Sequence, residues 1–187
     1  MSTIFISHGI SGHADENWFP WLKERLEEDG HTVIVPSFPH ADEPQLQEWL
    51  DHFKQYKKYL NERSVFIGHS LGAAFVLRLL EKMQHPVRAC FLVAAVYDVM
   101  GNVFDSRMTS FVEGGFDWNV LKGKAGKFYV IHSDNDPYVT LGKAEILAKA
   151  LDAPLTLVEG AGHFNAAAGY REFAVLLEKV KAEVSGC

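Results

Sequence analysis

Cysteine is scarce in this sequence, with Cys90 and Cys187 the only two. A disulfide framework and a four-cysteine zinc site are thereby excluded. Cys90 stands in the apolar run Ala89-Cys90-Phe91-Leu92-Val93 and reads as a buried small hydrophobe, while Cys187, at the last position, comes too late for a prenylation box. No stretch approaches the ~18 apolar residues of a membrane span. The first residues, Met1-Ser2-Thr3-Ile4-Phe5-Ile6, carry no basic segment ahead of their short apolar run. A cytoplasmic protein without a membrane partner is expected. Basic residues are in the minority, 18 Lys+Arg against 24 Asp+Glu, and form no block, so no nucleic-acid partner is expected. Glycine (15) and proline (7) show no excess, which leaves no collagen-like or low-complexity segment.

What remains is an ordinary globular composition, 187 residues with 48% hydrophobic and 22% charged, expected to form a single domain over 1–187. Short β-branched and aromatic runs lie at 3–7, 32–36, 64–68, 88–95, 127–132 and 155–159. Nearly all are apolar throughout instead of alternating, the mark of parallel strands covered on both faces. Between them, stretches of helical period fall at 18–26, 46–60, 71–83, 141–151 and 170–184. The pattern predicts an α/β fold, a three-layer α/β/α sandwich with right-handed crossovers. One segment breaks the rhythm. Residues 97–126 hold Phe104, Phe111, Phe116, Trp118 and a Gly114-Gly115 pair, and only 117–121 carries a helical pattern. An aromatic excursion of this length is either functional or a plain packed loop.

The sharpest local pattern is Gly68-His69-Ser70-Leu71-Gly72, a G-x-S-x-G sequence directly after a strand and directly before a helix. A strand bending abruptly into a helix forces the residue at the bend into strained angles and lifts its side chain above the sheet edge. The positions two before and two after must then be small, or their Cβ atoms collide. Gly68 and Gly72 meet that demand, and Ala73-Ala74 keep the helix close to its strand. The Leu71 amide opens the helix and would aim a free donor at an oxyanion formed on Ser70.

A serine hydroxyl is a weak nucleophile and needs a base, which needs an orienting acid. His163, in Glu159-Gly160-Ala161-Gly162-His163-Phe164 after the last strand, can be carried over the sheet edge by its glycine-rich loop. Ser133-Asp134-Asn135-Asp136-Pro137-Tyr138-Val139 offers two acids. Asp136 is preferred because it lies further out on the turn, with Pro137 fixing the backbone after it; Asp134 suits binding turn amides. The chain order Ser70, Asp136, His163 is that of α/β hydrolases. A second oxyanion donor is expected from His8-Gly9-Ile10-Ser11-Gly12-His13, with the Ile10 amide as the choice. Without a third glycine that loop is no dinucleotide site, and no cofactor is expected. His8, His13, His69 and His132 could crowd one sheet edge and invite a metal, but no H-E-x-x-H or similar spacing occurs, so no metal is expected. Asp15, Glu16, Glu27-Glu28-Asp29 and Lys54, Lys57 and Lys58 read as solvated helix faces.

Taken together, Gly68-His69-Ser70-Leu71-Gly72, the 133–139 turn and Gly162-His163-Phe164 resemble the small serine hydrolases of the YdeN type, the family that includes retinoblastoma-binding protein nine. The resemblance runs over nearly the whole chain. It implies a lid-less, minimal α/β-hydrolase fold with six parallel strands in the order 2-1-3-4-5-6, a triad of Ser70, Asp136 and His163, and esterase-like activity. The L-x-C-x-E motif of the mammalian member has no counterpart, since Cys90 is followed by Phe91-Leu92, so no retinoblastoma-type partner is expected. The expected reaction is hydrolysis of small carboxylic esters through an acyl-enzyme. Alternatives are the same triad acting on thioesters, amides or in acyl transfer, and an interaction protein with vestigial catalysis. A chain too short for a separate cap implies a shallow pocket, for which the 97–126 excursion could supply one wall.

Overall fold

The computed structural model describes residues 1–185, so Cys187 lies outside the described residues. The six apolar runs form six strands: β1 (Thr3–Ser7), β2 (Thr32–Ile34), β3 (Val65–His69), β4 (Val87–Val93), β5 (Ala125–Ser133) and β6 (Leu155–Val158). All pair in parallel, in the order β2-β1-β3-β4-β5-β6, as the resemblance implied. Helices α1 (Phe19–Glu28), α2 (Leu46–Phe53), α3 (Leu71–Lys82), α6 (Leu141–Ala150) and α7 (Ala174–Ser185) fill the intervals of helical period. The stretch after α2 tightens into a 3₁₀ helix, Lys54–Tyr59, where the apolar spacing fails and lysines take over.

Successive residues of each strand feed opposite faces, which accounts for their unbroken hydrophobicity. Phe5, Phe66, Cys90, Leu92, Phe128 and Val130 pack under α2, α3 and α6. Ile4, Ile6, Val65, Ile67, Phe91, Val93 and Ile131 pack under α1 and α7. Cys90 is fully buried, and burial pushes its thiol pKa up, consistent with a small hydrophobe. The first two turns of α3 are apolar on every side, with Leu71 through Leu77 all buried, so the helix packs against the middle of the sheet. The register pairs Ser7 with Gly68, His69 with Val93, Val93 with Ile131 and Ser133 with Val158. The loops leaving β1, β3, β4, β5 and β6 therefore emerge along one edge, where ligands bind in parallel sheets.

The 97–126 excursion departs from the expectation of a single short helix. Besides α5 (Trp118–Lys122), capped by the Asp117 carboxylate on the Val120 amide at 3.0 Å, it contains α4 (Asp105–Val112). Only Met108, Phe111 and Val112 of α4 are buried, too brief a period to stand out among serine and threonine. The Asp105 carboxylate accepts hydrogen bonds from the amides of Met100, Gly101 and Asn102 at 2.7–3.1 Å and so orders the turn before the helix. Arg78 of α3 donates to the carbonyls of Phe111 and Glu113, both at 2.8 Å, and stacks over the Phe116 ring at 4.0 Å. The excursion is thus a packed, buttressed part of the fold.

Candidate active site

Ser70 sits at the bend between β3 and α3 with φ 55° and ψ −123°, angles that an L-residue adopts only where its surroundings enforce them. The Ser70 amide donates to the Val93 carbonyl at 3.0 Å, and the Ser70 carbonyl accepts from Ala73 and Val96 at 3.0 and 3.1 Å. Both flanking glycines are sterically required, for different reasons. A Cβ on Gly68 would lie 2.6 Å from the Ala73 Cα and 2.7 Å from the Gly72 carbonyl oxygen, a clash within the elbow itself. A Cβ on Gly72 would instead lie 2.2 Å from the Ser7 carbonyl oxygen and 2.5 Å from that of His8. Gly72 therefore lets α3 approach the end of β1, a reason invisible in the pentapeptide alone.

His163 follows β6, and its Nδ1–H donates to Asp136 Oδ2 at 2.8 Å. Asp136 Oδ1 accepts the amides of Tyr138 and Val139 at 2.8 and 3.1 Å. Burial by itself raises the pKa of Asp136. The imidazole hydrogen bond and charge, with the two amides, outweigh it and hold the carboxyl below its ordinary value. Asp134 points elsewhere, accepting the Gly160 amide at 2.8 Å. It binds a backbone amide as expected, but one on the loop after β6 and not on its own turn. The His163 ring lies edge-on to Tyr138, with centroids 4.9 Å apart, and 5.0 Å from the His69 ring.

Ser70 and His163 face a common cavity of about 400 Å³, within the range of small-ligand sites. Gly9 and Ile10 line it beside them. Gly9 lies closely against Ser70, since a Cβ on Gly9 would fall 2.9 Å from that of Ser70. Leu71 is the first residue of α3, so no helical carbonyl stands four residues back to take its amide. Met100, Phe104 and Met108 of the excursion line it and form one wall. Glu16 also lines it and is half-buried, with its pKa raised by that burial, so it is not the solvated residue that its sequence neighbourhood suggested.

Among the described residues the histidines form no group that could hold a metal ion. Each of three instead holds a loop. His8 Nε2 accepts the Phe38 amide at 3.0 Å, so its proton is on Nδ1, 2.8 Å from the Gly9 carbonyl. His69 Nε2–H donates to the His163 carbonyl at 2.8 Å, and His132 Nε2–H to the Val139 carbonyl at 2.9 Å. Burial lowers the pKa of all three, His8 to about 4 and His69 to about 3, so they are neutral near pH 7. His69, the freely chosen position of the G-x-S-x-G motif, gave no sequence signal for this task because its partner lies 94 positions away.

Comparison with known proteins agrees with this architecture. The YdeN protein of Bacillus subtilis (strain 168) is 30% identical over 177 residues, covering 94% of this chain and 92% of the relative. The serine hydrolase RBBP9 of Rattus norvegicus is 26% identical over 182 residues, covering 97% and 94%. The crystal structure of the B. subtilis ydeN gene product superposes with a TM-score of 0.94 at 28% identity, covering 99% of this chain and all of that one. Among the described residues, no helix is long and apolar enough to cross a membrane. The serine hydrolase family model matches residues 4–181, so with this sheet order and these relatives the chain belongs to the serine hydrolase family and has the α/β-hydrolase fold.

Proposed function

We propose that the protein hydrolyses small carboxylic esters, with Ser70 as nucleophile, His163 as general base and Asp136 as the orienting acid. One observation carries this reading: His163, paired with Asp136 at 2.8 Å, faces the same cavity as a serine held at φ 55° on a strand–helix bend. With Nδ1–H committed to Asp136, Nε2 is the free lone pair of the neutral imidazole. Ser70 Oγ bonds to the carbonyl carbon as its proton passes to Nε2. The carbonyl oxygen becomes an oxyanion, received by the Leu71 and Ile10 amides, and each such donor is worth roughly 2.7–4 kcal/mol of barrier. Collapse breaks the ester bond, and the imidazolium proton leaves with the alcohol. Water then repeats the sequence on the acyl-enzyme, losing its proton to Nε2 and releasing the acid and Ser70.

The cavity supports small substrates: about 400 Å³, walled by thioether and aromatic side chains, suits a short acyl chain or a single ring. Purified protein is expected to turn over p-nitrophenyl acetate and butyrate and to label at Ser70 with a fluorophosphonate. Ser70→Ala should abolish both. Hydrolysis persisting at the wild-type rate in the variant would exclude the serine mechanism. A wild type that labels yet ignores esters, while cleaving thioesters or amides, would move the substrate class and keep the triad.

A further inference from the structure

The loop that carries His163 closes one turn on itself, Phe164 N donating to the Ala161 carbonyl at 3.2 Å, and is otherwise held from elsewhere. Gly160, Gly162 and Phe164 have φ of 69°, 57° and 52°, alternating with residues of ordinary sign. Such a path forms no repeating backbone ladder, so its other amides need partners from outside. Three of them find side chains of the 133–135 turn. Asp134 Oδ1 accepts Gly160 N at 2.8 Å, Ser133 Oγ accepts Ala161 N at 2.9 Å, and Asn135 Oδ1 accepts Gly162 N at 2.7 Å. The next group along, the His163 carbonyl, accepts from His69 at 2.8 Å. Ser133 is fully buried and its hydroxyl donates a hydrogen bond to Asn135 Oδ1 at 2.7 Å, linking two of the contacts and fixing the Asn135 amide with its oxygen toward the loop.

We propose that Ser133, Asp134, Asn135 and His69 form a four-point clamp on residues 160–163 that sets the His163 imidazole, which makes Asn135 and His69 positioning residues for the hydrolytic reaction. The proposal rests on His163 being the base. The three residues directly before Asp136 hold the backbone of the loop whose ring Asp136 holds, so one turn fixes base and acid relative to each other. The fourth contact comes from the residue adjoining Ser70 and ties the same loop to the nucleophile. A serine–imidazole approach is sensitive to such registry, since displacement by about 1 Å can cost on the order of 100-fold in rate.

Asn135 is the residue to test, because it does not line the cavity and its side chain is reachable without disturbing the core. Asn135→Ala is expected to lower kcat by about 10- to 100-fold with KM changed less than about two-fold. Asn135→Asp, which keeps an acceptor for both Gly162 N and Ser133, is expected to restore kcat to within a few-fold. His69→Gln keeps a donor near the His163 carbonyl and should outperform His69→Leu. Proton NMR of the full chain provides an arm that needs no turnover: the downfield His163 Nδ1–H signal should persist in wild type and Asn135→Asp and broaden or vanish in Asn135→Ala. Fluorophosphonate titration corrects kcat for folded, active sites. Asn135→Ala with wild-type kcat per titrated site and an unchanged Nδ1–H signal would overturn the clamp. A wild type inert toward esters would instead overturn the ester reading, with the NMR comparison still deciding the clamp.

Discussion

At the residue scale, the two carboxylates of the 133–139 turn make the sharpest contrast. Asp136→Asn replaces the acceptor that fixes the His163 tautomer, and the amide can present N–H to Nδ1 and leave the proton on Nε2. Turnover is expected to fall by orders of magnitude, about 10⁴-fold by analogy with the wrong-tautomer histidine of a serine protease. Asp134→Asn retains the Oδ1 that accepts Gly160 N, so a loss below about ten-fold is expected. Steady-state kinetics on p-nitrophenyl butyrate compares them directly, and the opposite ranking would assign the acid to Asp134. The sequence favoured Asp136 from its place beside Pro137, and it is this carboxylate that meets His163 at 2.8 Å. The loop contact of Asp134 was not, because nothing local says that the amide it serves belongs to a different strand's loop.

At the element scale, α4 decides the shape of the cavity. Its Arg107 donates from Nε to the Asp42 carbonyl at 2.7 Å and from Nη2 to Ser11 Oγ at 3.1 Å, so the helix is tied to the loop that carries Ile10. Phe104, at the N-terminus of α4, packs edge-on to Tyr138 with centroids 5.7 Å apart and closes the wall. Phe104→Ala should open room for a longer acyl chain. The ratio of kcat/KM for p-nitrophenyl octanoate over acetate is expected to rise about ten-fold, a few methylenes' share of apolar burial. An unchanged ratio would mean that the acyl group lies elsewhere. The excursion's aromatics marked it as consequential in the sequence. Its helix went unseen because α4 owes its order to distant partners, Arg78 on the Phe111 carbonyl among them, more than to its own short period.

At the scale of the whole molecule, the buried neutral histidines make stability depend on pH. In the unfolded chain His8 and His69 take up protons near 6.5; in the folded chain they do so only at about 4 and about 3. As pH falls below 6.5 the unfolded state binds more protons than the folded one, so stability is lost through that window toward pH 4, and above 6.5 these groups have no effect. Each contributes a slope of up to about 1.4 kcal/mol per pH unit. Urea unfolding at pH 7, 6, 5 and 4 should show the decline. His8→Gln and His69→Gln should each flatten it, whatever they do to stability at pH 7. A level profile between pH 6.5 and 4.5 in the wild type would contradict this account of the two rings.

The sequence by itself determined the layers, the strand identities and the sharp strand–helix bend at Ser70. Each is written in contiguous residues: unbroken apolar runs need two covered faces, and a strand–helix bend needs small residues two places either side of Ser70. The tertiary structure alone decided why Gly72 is indispensable, that α4 exists and walls the cavity, and that His8, His69 and His132 are loop anchors. These depend on groups brought together from far along the chain, such as His69 with His163 and Gly72 with Ser7. A hydrogen bond to a remote backbone group leaves no mark on neighbouring residues. Periodicity and spacing therefore carry the architecture, and the precision of the site arises from the fold.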